Sequence, residues 1–203
     1  MSTVLLPAPL SIEELVAVTN LGDSSLLLAI GAAVPAWLWA IGARTEARAW
    51  LIAAFVCVAA IAVLKLPFLV CTPASAFSPS GHAALATQVY GSLAILGANG
   101  RSRWWWGGLL TAAAVVVALV AWTRVALLAH SPLEVMMGLA VGGAGLGLFL
   151  AGCRNRRPAG VSLMALLMLL VLSLGLFYGT SLDTTAALRW LADFLRTTTG
   201  LCR

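Results

Sequence analysis

The chain has 203 residues, of which 62% are hydrophobic and 9% charged, with a formal net charge of +5. A soluble domain carries charge on roughly a quarter of its residues, so seven carboxylates and twelve basic side chains cannot clothe a soluble surface of this size. Disorder needs the opposite signature, low hydrophobicity with high charge, and what remains is an all-α polytopic membrane protein forming a single membrane domain over residues 1–203.

Taken in chain order, no Lys/Arg-rich segment precedes the first apolar run, so a cleaved signal peptide is not expected. Ser11 and Glu14 form a capping-box pattern that predicts a short N-terminal helix. Uncharged stretches follow at 24–43, 49–64, 66–100, 104–123, 135–153 and 158–182. About 20 apolar residues cross a hydrocarbon core as a helix. The third stretch is longer than one span and contains Pro67, Pro73 and Pro79, which predicts a loop followed by a helix. Six transmembrane helices are thus predicted, at about 24–41, 48–65, 83–99, 105–123, 134–151 and 160–178. The second is short and requires Lys65 to snorkel, with Trp50 marking the opposite interface. A β-barrel is excluded because long blocks such as 161–177 do not alternate. In the fifth span Gly138 and Gly142 make a small-xxx-small face that permits close packing, although glycine is common in membrane helices in any case. Residues 182–197 have apolar side chains on one face and Arg189, Asp193 and Arg196 elsewhere, the pattern of an interfacial amphipathic helix.

The loops carry the orientation. Arg44, Arg48, Arg101, Arg103, Arg154, Arg156 and Arg157 all fall on one side of a six-span chain, which should be cytoplasmic. Both chain ends then face outward. These arginines sit in short clusters between spans, where topology explains them and nucleic-acid binding is not called for. The four cysteines, at 57, 71, 153 and 202, have no metal-ligand spacing; a Cys71–Cys202 bridge is open to them if both lie on the oxidising side.

The span count also gathers rare residues at one face. The only two histidines, His82 and His130, fall at outward helix ends together with Lys65, Arg124 and Glu134. Ionisable groups at such places are costly unless they work together or meet water. In Ser78-Pro79-Ser80-Gly81-His82, Ser80 can cap a helix, leaving the Gly81 and His82 amides free to meet an anion, while Gly81 allows close approach. Taken alone, a Ser-Gly helix start is unspecific. Ser131 and Pro132 open the next helix, with His130 just before it. Glu134 either orients the His130 imidazole as a nucleophile's partner or completes a Ser131–Glu134 capping box; its two oxygens allow both. Arg124 offers a planar fork for phosphate oxygens, or is a simple interface charge.

These residues resemble the PAP2 superfamily, the type 2 phosphatidic acid phosphatases and vanadium haloperoxidases, in its membrane lipid phosphatase branch. The family's motifs are Lys-x6-Arg-Pro, Pro-Ser-Gly-His and Ser-Arg-x5-His-x3-Asp. Here they read Lys65-x6-Thr72-Pro73, Pro79-Ser80-Gly81-His82 and Thr123-Arg124-x5-His130-x3-Glu134, an active-site core at about 65–134. Thr123 keeps the hydroxyl, Glu134 adds a methylene, and Thr72 lacks a guanidinium that the family uses on phosphate.

The resemblance implies a six-helix bundle and a metal-independent, cofactor-free phosphatase. His130 would form a phosphohistidine, Glu134 would orient it, and His82 would act as acid and then base. Lys65, Thr72, Ser80, Gly81 and Arg124 would surround the phosphate. The implied partners are a lipid phosphate substrate (phosphatidic acid, phosphatidylglycerol phosphate, undecaprenyl diphosphate or a lipid A phosphate) and the bilayer, with room for a homo-oligomer. The implied location is the inner membrane, with the site facing the periplasm or exterior. The competing readings are a catalytically impaired relative that binds or moves lipid, for which Thr72 speaks, and an unrelated small membrane protein in which the two histidines lie apart.

Overall fold

The computed structural model describes residues 11–71, 78–153 and 161–199, and the described residues form helices without strands. The helices are α1 (Ile12–Thr19), α2 (Ser24–Ala40), α3 (Arg44–Cys71), α4 (Gly81–Ala98), α5 (Arg103–Ala126), α6 (Pro132–Cys153), α7 (Leu163–Phe177) and α8 (Thr184–Thr199), with a 3-10 turn (Asn20–Gly22) between the first two. Ser11 and Glu14 make the predicted capping box at the start of α1, with bonds of 2.7 and 3.3 Å.

By length and apolarity, four stretches can cross a membrane: Ile12–Ala40, Arg44–Cys71, Arg103–Ala126 and Pro132–Cys153. That is the signature of a membrane protein, but it is fewer than the six predicted spans. Helix α7 has only 15 residues. Helix α4 falls short for a different reason, which is its place in the bundle. Thirteen of its 18 residues are buried, Gln88 and Ser92 among them. It is enclosed by α2, α3, α5, α6 and α7. A helix enclosed by protein needs no lipid-facing coat, so its composition drifts toward small and polar residues. The helices outside it do carry such a coat, including Phe55 and Val63 on α3 and Met168 and Val171 on α7, each at least 66% exposed.

A second departure lies at Pro67. The predicted loop does not start there; α3 runs through the proline to Cys71. A proline removes one backbone bond to the preceding turn, and so close to a helix end that loss is tolerated. Lys65 therefore sits inside α3 rather than at its end.

The core is built from Leu26, Leu27, Ile30, Val34 and Leu38 of α2 against Trp50 and Ala53 of α3, Val89 and Leu96 of α4 and Phe149 of α6. Trp50 meets Phe149 edge to face at 5.8 Å, and its indole N–H donates to the Gly31 carbonyl at 3.2 Å.

Helix α6 approaches α4 through the glycine face. A Cβ on Gly138 would collide with the Ser80 carbonyl, and one on Gly142 with the Ala84 carbonyl and with Thr87. The small-xxx-small pattern is therefore a packing seam, and it sets the starts of α4 and α6 side by side.

Helix α8 lies against α3. Its Arg196 side chain donates to the Val70 and Leu69 carbonyls at 3.0 and 2.8 Å, closing the C-terminal end of α3. Trp190 and Phe194 stack at 6.1 Å on its exposed face. Cys71 is disulfide-bonded, whereas Cys57 and Cys153 are free. Cys202, the partner considered from the sequence, lies outside the described residues, as do Arg154, Arg156 and Arg157.

Candidate active site

The close crossing of α4 and α6 brings the motif residues to one end of the bundle. Ser80 is the N-cap of α4: its hydroxyl accepts from the Ala83 amide at 3.4 Å and its carbonyl from the Ala84 amide at 3.1 Å. The Gly81 and His82 amides have no partner among the described residues, as the first donors of a helix must unless something caps them. The Nζ of Lys65 lies 4.0 Å from where a Gly81 Cβ would be. The Lys65 ammonium therefore stands beside the start of α4.

Helix α5 ends in a turn that aims His130. Leu128 adopts a left-handed conformation with φ of 53°, and the Ala129 and His130 amides both donate to the Arg124 carbonyl at 3.1 Å. This C-terminal cap reverses the chain and ties the His130 backbone to Arg124. On the Arg124 side chain, one terminal nitrogen donates to the Thr19 hydroxyl at 3.3 Å. Its Nε is buried and has no partner among the described residues. A buried guanidinium N–H without an acceptor is an expensive feature, and it suits an anionic oxygen.

Glu134 completes the capping box and also stands beside His130. Its Oε2 accepts from the Ser131 amide at 2.8 Å while the Ser131 hydroxyl accepts from the Glu134 amide at 3.3 Å, which completes the capping box. The same Oε2 lies 3.6 Å from His130 Nδ1. That is an ion-pair distance, longer than a hydrogen bond; contacts of this kind tighten when substrate fills a site. The other oxygen accepts from the Ser78 amide, and the Glu134 carbonyl accepts from the Ser80 amide at 3.0 Å. One residue thus fastens the start of α6 to the Pro-Ser-Gly-His segment.

With Nδ1 facing Glu134, His130 has its Nε2 free. Burial holds its pKa below the ordinary histidine value, Arg124 and Lys65 lower it further, and Glu134 opposes them. Burial and the two cations thus favour the neutral imidazole, the form whose lone pair can attack an electrophile.

Two residues in the site were not singled out in the sequence. Asp23, the N-cap of α2, places Oδ2 at 3.8 Å from His82 Nε2. Thr19 supplies the partner of Arg124. The available signal was position alone, since Asp23 opens the first span at the same face as the histidines. Thr72 lies outside the described residues. Among the described residues no three His, Cys, Asp or Glu side chains group as a metal-holding set.

An apolar cavity of about 200 Å³ adjoins the cluster. Lys65 and Gly81 stand at its polar end, and its walls include Leu28 of α2, Ile61 of α3, Leu85 of α4 and Leu188 of α8. A second cavity of about 230 Å³, between α4, α5 and α7, is lined by residues such as Leu93, Leu109 and Leu166 and holds none of the clustered groups.

No curated protein and no solved structure matches the chain. The family model of the PAP2 superfamily matches residues 65–158. That segment holds Lys65, Ser80, Gly81, His82, Arg124, His130 and Glu134, and leaves Asp23 and Thr19 outside. Such a match suggests a phosphatase-type function, and over residues 65–158 the chain is similar to the PAP2 superfamily.

Proposed function

We propose that the protein is a membrane phosphatase that removes a phosphoryl group from a lipid phosphomonoester or diphosphate through a phosphohistidine on His130. The observation that carries this reading is the pairing of His130 with Glu134 through one ring nitrogen, beside the partnerless Arg124 Nε and the open amides of α4. Phosphoryl transfer needs in-line positioning and positive charge around three equatorial oxygens. Arg124, Lys65 and the Gly81 and His82 amides supply that charge; Ser80 holds the helix start in place.

In the first step the Nε2 lone pair of His130 forms the N–P bond as the P–O bond to the leaving group breaks. The imidazole gains positive charge, which Glu134 balances at Nδ1. His82 gives its proton to the leaving oxygen. In the second step His82, now neutral, takes a proton from water. The hydroxyl attacks phosphorus, the N–P bond breaks, and inorganic phosphate leaves.

The cavity beside Lys65 and Gly81 supports a lipid substrate, because apolar walls continuous with a phosphate seat suit a molecule that is polar at one end only. We read all six of α2 to α7 as spanning, with α4 crossing inside its cage of neighbours. Arg44, Arg48, Arg101 and Arg103 would then face the cytoplasm, and the histidines the periplasm or exterior of an inner membrane. The disulfide at Cys71 supports that side, because disulfides persist in oxidising compartments. Helix α8 would rest at the interface with Trp190 and Phe194 toward lipid.

The test is phosphate release from a panel of lipid phosphates by the purified native protein and by His130→Ala, with acid-labile phosphate trapped on the native protein only. Equal release from both forms would sink the assignment. Thr72 favours one other reading, a relative that binds lipid without hydrolysing it. That reading predicts no release from any substrate in the panel, and activity appearing on Thr72→Arg would mark the site as impaired rather than specialised.

A further inference from the structure

The site holds two histidine–carboxylate pairs, and only one of them lies in the segment the family covers. In the second, Asp23 faces His82 at 3.8 Å, with side-chain exposures of 14% and 24% respectively. Capping alone does not call for aspartate there, since Asn and Ser cap helices about as well.

The carboxylate is held in a fixed attitude. Its Oδ1 accepts from both the amide and the hydroxyl of Ser25 at 2.8 Å. Ser25 is buried, and its hydroxyl accepts from the Thr180 hydroxyl at 3.0 Å; its single proton is shared between Asp23 Oδ1 and the Thr180 carbonyl. With Oδ1 engaged by the Ser25 amide and facing the Ser25 hydroxyl, Oδ2 is the oxygen that faces His82. The other groups acting on His82 are Arg124 of α5, Lys65 of α3 and His130 of the α5–α6 connection. Each is a cation or becomes one on protonation. Asp23 is the one negative charge among the described groups that act on this imidazole.

We propose that Asp23 is a positioning residue for His82, holding the ring by Nε2–H so that Nδ1 faces the leaving-group oxygen and keeping a proton available on a histidine surrounded by cations. The proposal rests on the phosphatase reading for its chemistry. The Nδ1 proton passes to the leaving oxygen in the first step and is replaced by a water proton in the second. The Nε2 proton stays on the ring against Asp23 throughout.

The test can be separated from turnover. In a His130→Ala protein free of a histidine tag, His82 is the only histidine, and its titration can be followed by NMR of isotope-labelled imidazole in detergent. Adding Asp23→Asn, which keeps the cap, should lower the His82 midpoint by about 1 unit. Asp23→Glu should restore part of it. An unchanged midpoint overturns the proposal whether or not the protein hydrolyses any lipid. In the otherwise native enzyme, Asp23→Asn should lower kcat about 10- to 100-fold with little change in KM, and should move the alkaline limb of the rate profile to lower pH. The same substitution made on His82→Ala should cost nothing further; losses that multiply would mean that Asp23 acts elsewhere and would also overturn it. Asp23→Ser, a second capping side chain, repeats each measurement should the amide disturb folding.

Discussion

The two ends of the bundle hold most of the protein's charge and use it in opposite ways. At one end Arg44 and Arg48 share the Trp39 ring, at 5.9 and 5.6 Å, and Arg101 closes α4 by donating to the Gly97 carbonyl at 2.5 Å. Each contact is complete in itself. At the other end Lys65, His82, Arg124, His130, Glu134 and Asp23 act on one another, so that changing any one of them changes several. The first end needs only that charge be present near water. The second needs a fixed geometry, and there Gly138 and Gly142 bring α6 against the backbone of α4. A glycine seam thus holds two helix starts together at the histidine end, whereas the arginine contacts at the other end involve no such seam of their own.

The largest effect should separate the ends outright. His130→Ala should reduce phosphate release by at least about 10⁴-fold, the scale on which a removed nucleophile is felt. Residual activity within tenfold of native would break the division. Next, Arg124→Ala should cost about 2–5 kcal/mol in kcat/KM, because it leaves phosphate oxygens unpaired in a partly buried site, and Lys at the same place should rescue little of it. Arg44→Ala should leave kcat/KM within about twofold and unfolding within about 0.5 kcal/mol; comparable losses at the two arginines would show that charge alone matters.

The packing seam is open to the same treatment. Gly142→Val should destabilise by about 1–3 kcal/mol or more, because its side chain meets the Ala84 backbone and Thr87. Gly143→Ala, one residue along and facing open space, should be neutral in the same thermal unfolding measurement. Equal effects would mean that the glycines are there for composition only.

A smaller shift concerns pH. Burial and the two cations lower the pKa of His130, so the acid limb of kcat/KM should lie below about 6.5, the value of an unperturbed histidine. Glu134 is the group that favours the protonated ring. Glu134→Gln should therefore move that limb lower still, by about 1 unit; a move to higher pH would contradict the pairing. Smallest of all, Leu128→Gly should relieve the left-handed turn before His130 and stabilise the protein by up to about 1 kcal/mol, read as a rise in Tm with activity unchanged.

Much of this was legible in the residues themselves. Scarcity of charge isolated the histidine end, and the predicted spans agree with the helices to within a few residues at most of their ends. The Ser131–Glu134 box and the Ser80 cap were readable because both are local, made within one turn of helix. Pro67 misled because a proline near a helix end costs too little to end the helix there. Helix α4 is not among the four stretches apolar enough to cross a membrane because 13 of its 18 residues are buried in the bundle, where small and polar side chains are tolerated. Asp23 was missed because its sequence context, an acid before two serines and an apolar run, is fully accounted for as a helix cap.

The chain by itself therefore determined the class of protein, the run of helices and the set of ionisable groups at one end, since those follow from hydropathy and from contacts within a single turn. Only the tertiary structure decided which groups meet. The Gly138–Gly142 face could have packed against any helix or against lipid, and it packs on α4; Asp23 lies 59 residues from His82 in the chain and 3.8 Å from it in space. Pairings at that separation are set by which helices come close. That choice depends on the summed fit of all the helices and not on the residues of either pair.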